Sequence, residues 1–321
     1  MSELMDANAT TESPPKPDFL TELKTLGNAL PDKAALLLLL AAWVLLFQYV
    51  GWTSTVAGKT GSLFAWMWGK WDDPSNDAGH GKLIPFVVLA ILWARRERLV
   101  KSAAGVWWPP LLAVGLALAL HVAGFVVQQP RLSMIALFFG AWGLVGLVWG
   151  WEAWKVTFFP FFIFAFCLPM GGTFAQAQTL PLRQLAAQVT MFIAHGLLQI
   201  DVVRNGTELL DAHGRWHFEV AAECSGIRSF VALLAISTIF SVLTMRLFWK
   251  RAVMIALTVP IALICNVVRL STIILAATAF KSQAAGAFVD NWFGYVTYMI
   301  GIAILLLAAR WLREKPGCEP P

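Results

Sequence analysis

Charge is scarce in this chain: only 13% of its 321 residues are Asp, Glu, Lys or Arg, while 58% are hydrophobic, with 16 Trp and 22 Phe among the aromatics. A soluble domain of this length carries about a quarter charged residues, so that class is excluded and a polytopic membrane protein is left. Cysteine is sparse as well. Of the four, Cys167 and Cys265 lie in apolar runs and Cys318 in the C-terminal tail, so no disulfide framework and no CxxC metal pair can be built, and Cys224 alone has a polar setting. No Asp/Glu/His set has metal-ligand spacing, no Gly-rich loop follows a strand and no Ser-centred elbow occurs. No metal or cofactor is therefore expected. The chain has no internal repeat and no nucleic-acid motif; its net charge of +5 comes mostly from Lys and Arg beside apolar segments, where it sets orientation in a membrane.

Residues 1–32 are polar, lack the basic start and cleavage site of a signal peptide, and read as a disordered or loosely helical cytoplasmic lead. Apolar stretches then predict spans over Ala34–Trp52, Lys82–Ala94, Trp107–Val127, Leu132–Trp151 and Val156–Met170, the last kinked at Pro160 and Pro169 where neighbours or water must satisfy freed carbonyls. The segment 61–71 reads as an interfacial aromatic anchor. In Ala175–Ile200 apolar residues alternate with Gln176, Arg183, Gln184 and Gln188 at helical spacing, which favours an interfacial or re-entrant amphipathic helix over another crossing. Strands are expected at Asp201–Arg204 and Glu208–Asp211 around Asn205-Gly206, with Trp216–Ala222 as a third. Further spans follow at Ser225–Trp249, Ala252–Ala277 and Phe293–Ala309. With the Arg95 cluster, Arg246/Lys250/Arg251 and Arg310/Arg313/Lys315 all inside, residues 171–224 must begin and end outside. The expectation is an all-α polytopic protein of about eight transmembrane helices, with an outer amphipathic helix and a small β-hairpin before the helix that starts near Ser225. It forms one membrane domain, 33–314, followed by a cytoplasmic tail, 315–321.

Chemistry concentrates in two places. Cys224 stands where a polar, strand-like stretch runs without a linker into a long apolar helix, whose unpaired N–H groups and dipole stabilise a thiolate; Arg228, a turn on, faces the same spot. The bland alternative is a cysteine that merely packs. Asn266 and Arg269, at i and i+3, share one face of an otherwise aliphatic span. An intramembrane Arg costs several kcal/mol unless it faces a polar interior, so a pocket open to the outside is expected, the alternative being an Arg that ties helices together. His213 and His217 lie close enough in sequence to Cys224 to serve as its base or to be bystanders. His80 could bind substrate or cap a helix, and His121 and His195 suit packing or hydrogen-bonding roles.

Several motifs in order then carry a resemblance: Trp71-Asp72-Asp73-Pro74 ahead of His80-Gly81, the Pro160/Pro169 helix, Arg204-Asn205-Gly206-Thr207, Glu223-Cys224-Ser225-Gly226-Ile227-Arg228-Ser229, and Asn266-Val267-Val268-Arg269. Over about Trp71 to Arg310 the chain resembles the exosortase/archaeosortase group of integral-membrane cysteine transpeptidases. The resemblance implies that Cys224 is the nucleophile, forming an acyl-thioester near the C-terminus of a secreted protein that carries a PEP-CTERM-like sorting signal and releasing its transmembrane tail. It further implies that Arg269 donates a proton or stabilises thiolate and oxyanion, and that an envelope acceptor, lipid or glycan, resolves the intermediate; Glu223, Arg228, Asn266 and His217 are expected to support the pair. The implied setting is the inner (plasma) membrane with the site on its periplasmic face, in contact with membrane lipids and without nucleic acid. In the family a His or Arg begins the last helix; here the place falls to Asn291, or to Asp290, and Asn can donate to an oxyanion but cannot shuttle a proton. Two rival readings keep the same residues: a small-solute transporter lined by Arg269 and Asn266, and a non-catalytic membrane assembly protein.

Overall fold

The computed structural model describes residues 19–312 apart from 55–58, 74–77, 170–172, 215, 220–226 and 246. Part of the polar lead, expected to be disordered or loosely helical, is a helix, α1 (Phe19–Ala29), anchored because Glu22 accepts a 3.0 Å hydrogen bond from Nε of Arg96. Next come α2 (Lys33–Tyr49), a short hairpin of β1 (Trp52–Ser54) with β2 (Lys59–Gly61), and α3 (Leu63–Asp72), capped by the Ser62 hydroxyl accepting from Ala65 N–H. The β1–β2 hairpin has no counterpart in the sequence reading, since three-residue strands are too short for an alternating pattern. Then follow α4 (Ile84–Ala94), α5 (Arg96–Ser102) and α6 (Pro110–Val126).

Helix α7 (Pro130–Ile163) is two helical arms joined at a kink rather than one straight rod. In a straight helix residues 142 and 154 would stand about 18 Å apart; instead the Trp142 and Trp154 rings stack at 4.3 Å, and Phe138 stacks on Phe164 at 4.2 Å. The chain therefore folds back on itself at Gly150, whose φ of 86° and ψ of −179° only glycine adopts without strain. The arms 130–149 and 151–163 thus run antiparallel, as two expected spans should, though the reversal precedes Lys155. Pro160 frees the carbonyl of Val156, and Nη1 of Arg95, at the α4–α5 junction, lies 3.4 Å from that oxygen. Burial, followed by repulsion from Arg98 and Arg251, pulls the Arg95 pKa below its usual value, so the basic residues flanking α4 and α10 gather at one end of the bundle.

The C-terminal half comprises α8 (Thr173–Gly196), β3 (Val202–Asn205), β4 (Glu208–Asp211), β5 (His217–Glu219), α9 (Ile227–Thr244), α10 (Phe248–Ala279) and α11 (Gln283–Leu312). The sheet is antiparallel in the order β3-β4-β5. Asn205 pairs with Glu208, so the tight turn is Gly206-Thr207, one residue later than the sequence suggests, and Gly206 supplies the positive φ of 62°. Helix α9 stops at Thr244 rather than near Trp249, and the Met245 carbonyl is taken by Nε of Arg251 at 2.9 Å, which closes a sharp turn into α10.

By length and composition three segments are able to cross a membrane, Pro130–Cys167, Phe248–Ala279 and Gln283–Leu312, the first of them being the two antiparallel arms that meet at Gly150, with shorter apolar helices at Lys33–Tyr49, Ile84–Ala94, Pro110–Val126 and Phe230–Thr244. The protein is an integral membrane protein. At 11 residues α4 rises only about 16 Å against a hydrocarbon core of about 30 Å, so the second of the eight expected spans is too short to cross alone.

Candidate active site

The three-stranded sheet is seated on the hairpin that α10 makes with α11. Ala186, Ala187 and Ala194 of α8 share one buried cluster with Val202 and Leu209 of the sheet, Trp216, and Leu270 and Ile274 of α10. Trp216 Nε1 donates to Thr278 Oγ1 at 3.2 Å near the end of α10, and Phe218 of β5 occupies the space a side chain at Gly286 would need, its Cζ lying 2.4 Å from the position of a Cβ there. Strand β5 thus rests on both helices as it leads into 220–226, and the chain re-emerges in α9, which packs through Leu233 with Ile261 of α10 and Leu305 of α11. Cys224 and Glu223 lie outside the described residues. Arg228 belongs to the first turn of α9, but its side chain lies outside the described ones.

Below the sheet, within the helical core, Arg269 of α10 meets Asp290 of α11: Nε donates to Oδ1 at 2.7 Å, and the side chains are 14% and 19% exposed. The expected polar interior around Arg269 is therefore supplied by an acid on the next helix. Asp290, Gly294 and Thr297 fall at i, i+4 and i+7, one stripe of α11. A Cβ at Gly294 would sit 3.3 Å from both Cζ and Nη2 of Arg269, so the missing side chain leaves the guanidinium its room. With Nε committed to Asp290, the Nη groups remain as donors, and no other partner for them occurs among the described residues.

Sequence reasoning favoured Asn291 for this place and ranked Asp290 second. Asn291 is in α11 with its side chain outside the described ones, whereas Asp290 is the residue that engages Arg269. A signal was available, because a buried Arg calls for an acid and the stripe through Gly294 and Thr297 runs through 290. Asn266, a turn away on α10, is 7% exposed and its buried Oδ1 has no hydrogen-bond partner among the described residues. Beside it Leu233, Cys265, Arg269, Thr297 and Tyr298 line a small cavity of ≈ 20 Å³. Cys265, which the sequence places only in an apolar run, is part of this wall.

The histidines separate from this cluster. His217 is exposed and neighbours Phe218 on β5; successive strand residues point to opposite faces, so His217 is turned away from the face that packs on α11, and His213 is exposed in the turn after β4. His195 accepts a 3.0 Å bond at Nε2 from Val202 N–H at the start of the sheet, and His121 Nδ1 lies 3.0 Å from Ser133 Oγ in the N-terminal bundle. His80 Nε2 lies 3.0 Å from the Phe166 carbonyl, while Trp71 Nε1 donates to the Cys167 carbonyl at 2.8 Å. A Cβ at Gly81 would fall 2.4 Å from Trp71 Nε1, so the Trp71…His80-Gly81 motif clamps α3 onto the end of the second α7 arm. Among the described residues no group of three or more His, Cys, Asp and Glu could hold a metal ion.

The geometry offers a largely buried, acid-fixed guanidinium, with Nη donors that have no partner among the described residues, under the strand that feeds the Cys224 segment. Such donors hold a developing oxyanion or a thiolate strongly, because the surrounding dielectric is low and the group is already oriented. Neither a curated protein nor a solved structure matches the chain. A family model described as transmembrane exosortase does match, over residues 68–307, which takes in the Trp71 clamp, the sheet and the Arg269–Asp290 pair. This chain belongs to the transmembrane exosortase family.

Proposed function

We propose that the protein is a membrane cysteine transpeptidase that cuts a C-terminal, PEP-CTERM-like sorting signal from secreted proteins. The Cys224 thiolate attacks the scissile carbonyl carbon: a C–S bond forms, and the carbonyl π pair moves onto oxygen. The Nη donors of Arg269, held by Asp290, carry that oxyanion. Collapse breaks the C–N bond, the amine of the transmembrane tail leaves with a proton from solvent, and an acyl-thioester remains. An acceptor hydroxyl or amine, on a lipid or glycan, then attacks the same carbon; the C–S bond breaks, the acceptor's proton passes to solvent, and the thiolate returns. Asn291 can add a donor to the oxyanion. A separate histidine base is not required once a helix N-terminus and arginines hold the thiol ionised.

The observation that supports this reading best is the Arg269–Asp290 pair beneath β5, within a chain of this family. A cavity of ≈ 20 Å³ beside Arg269 offers little to a solute pathway, which counts against the transporter reading. By the basic clusters the protein sits in the plasma (inner) membrane with Cys224 on the outer face, where a substrate's tail reaches it by lateral diffusion. The test is Cys224→Ala. Secreted proteins with uncleaved C-terminal tails are expected to accumulate while the variant remains folded, and normal processing in the variant would overturn Cys224 as nucleophile.

A further inference from the structure

The cavity beneath Arg269 combines three features that seldom meet by chance. Its volume of ≈ 20 Å³ suits one water, since about 10–15 Å³ is enough. Asn266, 93% buried by its 7% exposure, lines it, and its carbonyl oxygen has no donor among the described residues, although buried acceptors are almost always satisfied. Arg269 lines the same space, and its Nη groups have no acceptor among the described residues. A water is the one small species that gives a proton to the first and a lone pair to the second. The walls add Thr297, whose hydroxyl donates to the Phe293 carbonyl at 2.8 Å and so keeps its lone pairs available.

We infer that this cavity holds one ordered water bridging Asn266 Oδ1 and Arg269, and that Asn266 is thereby a positioning residue for the guanidinium. The inference rests on the proposed role of Arg269. Asp290 fixes Arg269 at Nε from α11, and the water fixes the Nη edge from α10, so the fork is held on two sides before substrate arrives. The titratable groups lining this space are Arg269 and Cys265 of α10 and Tyr298 of α11, with Asp290 of α11 reaching it only through Arg269, and α9 contributes apolar Leu233.

The experiment follows iodoacetamide alkylation of the full-length protein against pH, read by mass spectrometry on the peptide that carries Cys224, so that the other cysteines stay in place. Asn266→Leu fills the cavity with an apolar side chain of similar size. Its Cys224 midpoint is expected to rise by about one pH unit and processing of secreted precursors to slow by about 10²-fold, while thermal unfolding stays put or moves up because a buried polar group is gone. Asn266→Ser keeps an oxygen acceptor and should return the midpoint most of the way to wild type. A wild-type midpoint in Asn266→Leu overturns the inference, and so does a Ser variant as impaired as Leu, which would make shape rather than the acceptor decisive. If wild-type Cys224 itself titrates as an ordinary thiol, the transpeptidase reading falls and this inference with it, so the two failures are distinguishable.

Discussion

Replacing Asp290 by Ala strands the Arg269 guanidinium, 14% exposed, in the helical core without its counter-charge. Breaking a fully buried pair costs about 3–5 kcal/mol, and the residual exposure of both partners places this one at the lower end, near 3 kcal/mol. Asp290→Asn keeps an oxygen at Nε but not the charge, for a loss of about 1–2 kcal/mol. Removing both charges together, as Arg269→Met with Asp290→Leu, should recover stability to within about 1 kcal/mol of wild type, because nothing charged is left buried. Such a double variant would process no substrate. The assay is unfolding of purified protein in detergent followed by Trp fluorescence, set beside precursor processing in cells. An Asp290→Ala variant as stable as wild type would refute the pair, as would an Asn291→Ala variant that loses equally much.

Gly150→Ala forces a Cβ to 3.2 Å from the Gly105 carbonyl oxygen at a φ of 86°, and is expected to cost about 1–3 kcal/mol; an unchanged unfolding midpoint would remove the fold-back of α7. Gly286→Val drives a side chain into Phe218 and lifts β5 off α11, so Cys224-dependent processing should fall about tenfold or more, the scale expected for a site moved by a fraction of an ångström, while global unfolding changes little; full activity would show that β5 does not place the Cys224 segment.

Much of the architecture was local and therefore readable. Apolar runs announced helices, Gly206 announced the hairpin turn within a residue, and Asn266 with Arg269 stood out because polar groups three apart on an aliphatic helix share a face. The need to satisfy the carbonyl freed by Pro160 was also local, but the donor was not: Arg95 reaches Val156 from a helix 61 residues away in sequence. Nor could a pattern of apolar residues say that the two arms of α7 reverse at Gly150 itself, since that depends on a single backbone conformation. The partner of Arg269 is the sharpest instance. A buried Arg favours the acid over its neighbour, but chemistry alone does not say which position faces Arg269, and positions 290 and 291 lie about 100° apart around α11. Which of them faces Arg269 is fixed by the rotation of α11 about its own axis, and that rotation is set by Gly294 making room for the guanidinium and by Leu305 packing with Leu233 and Ile261. The sequence determined that a charge would be buried in this bundle, and the packing of three helices decided what neutralises it.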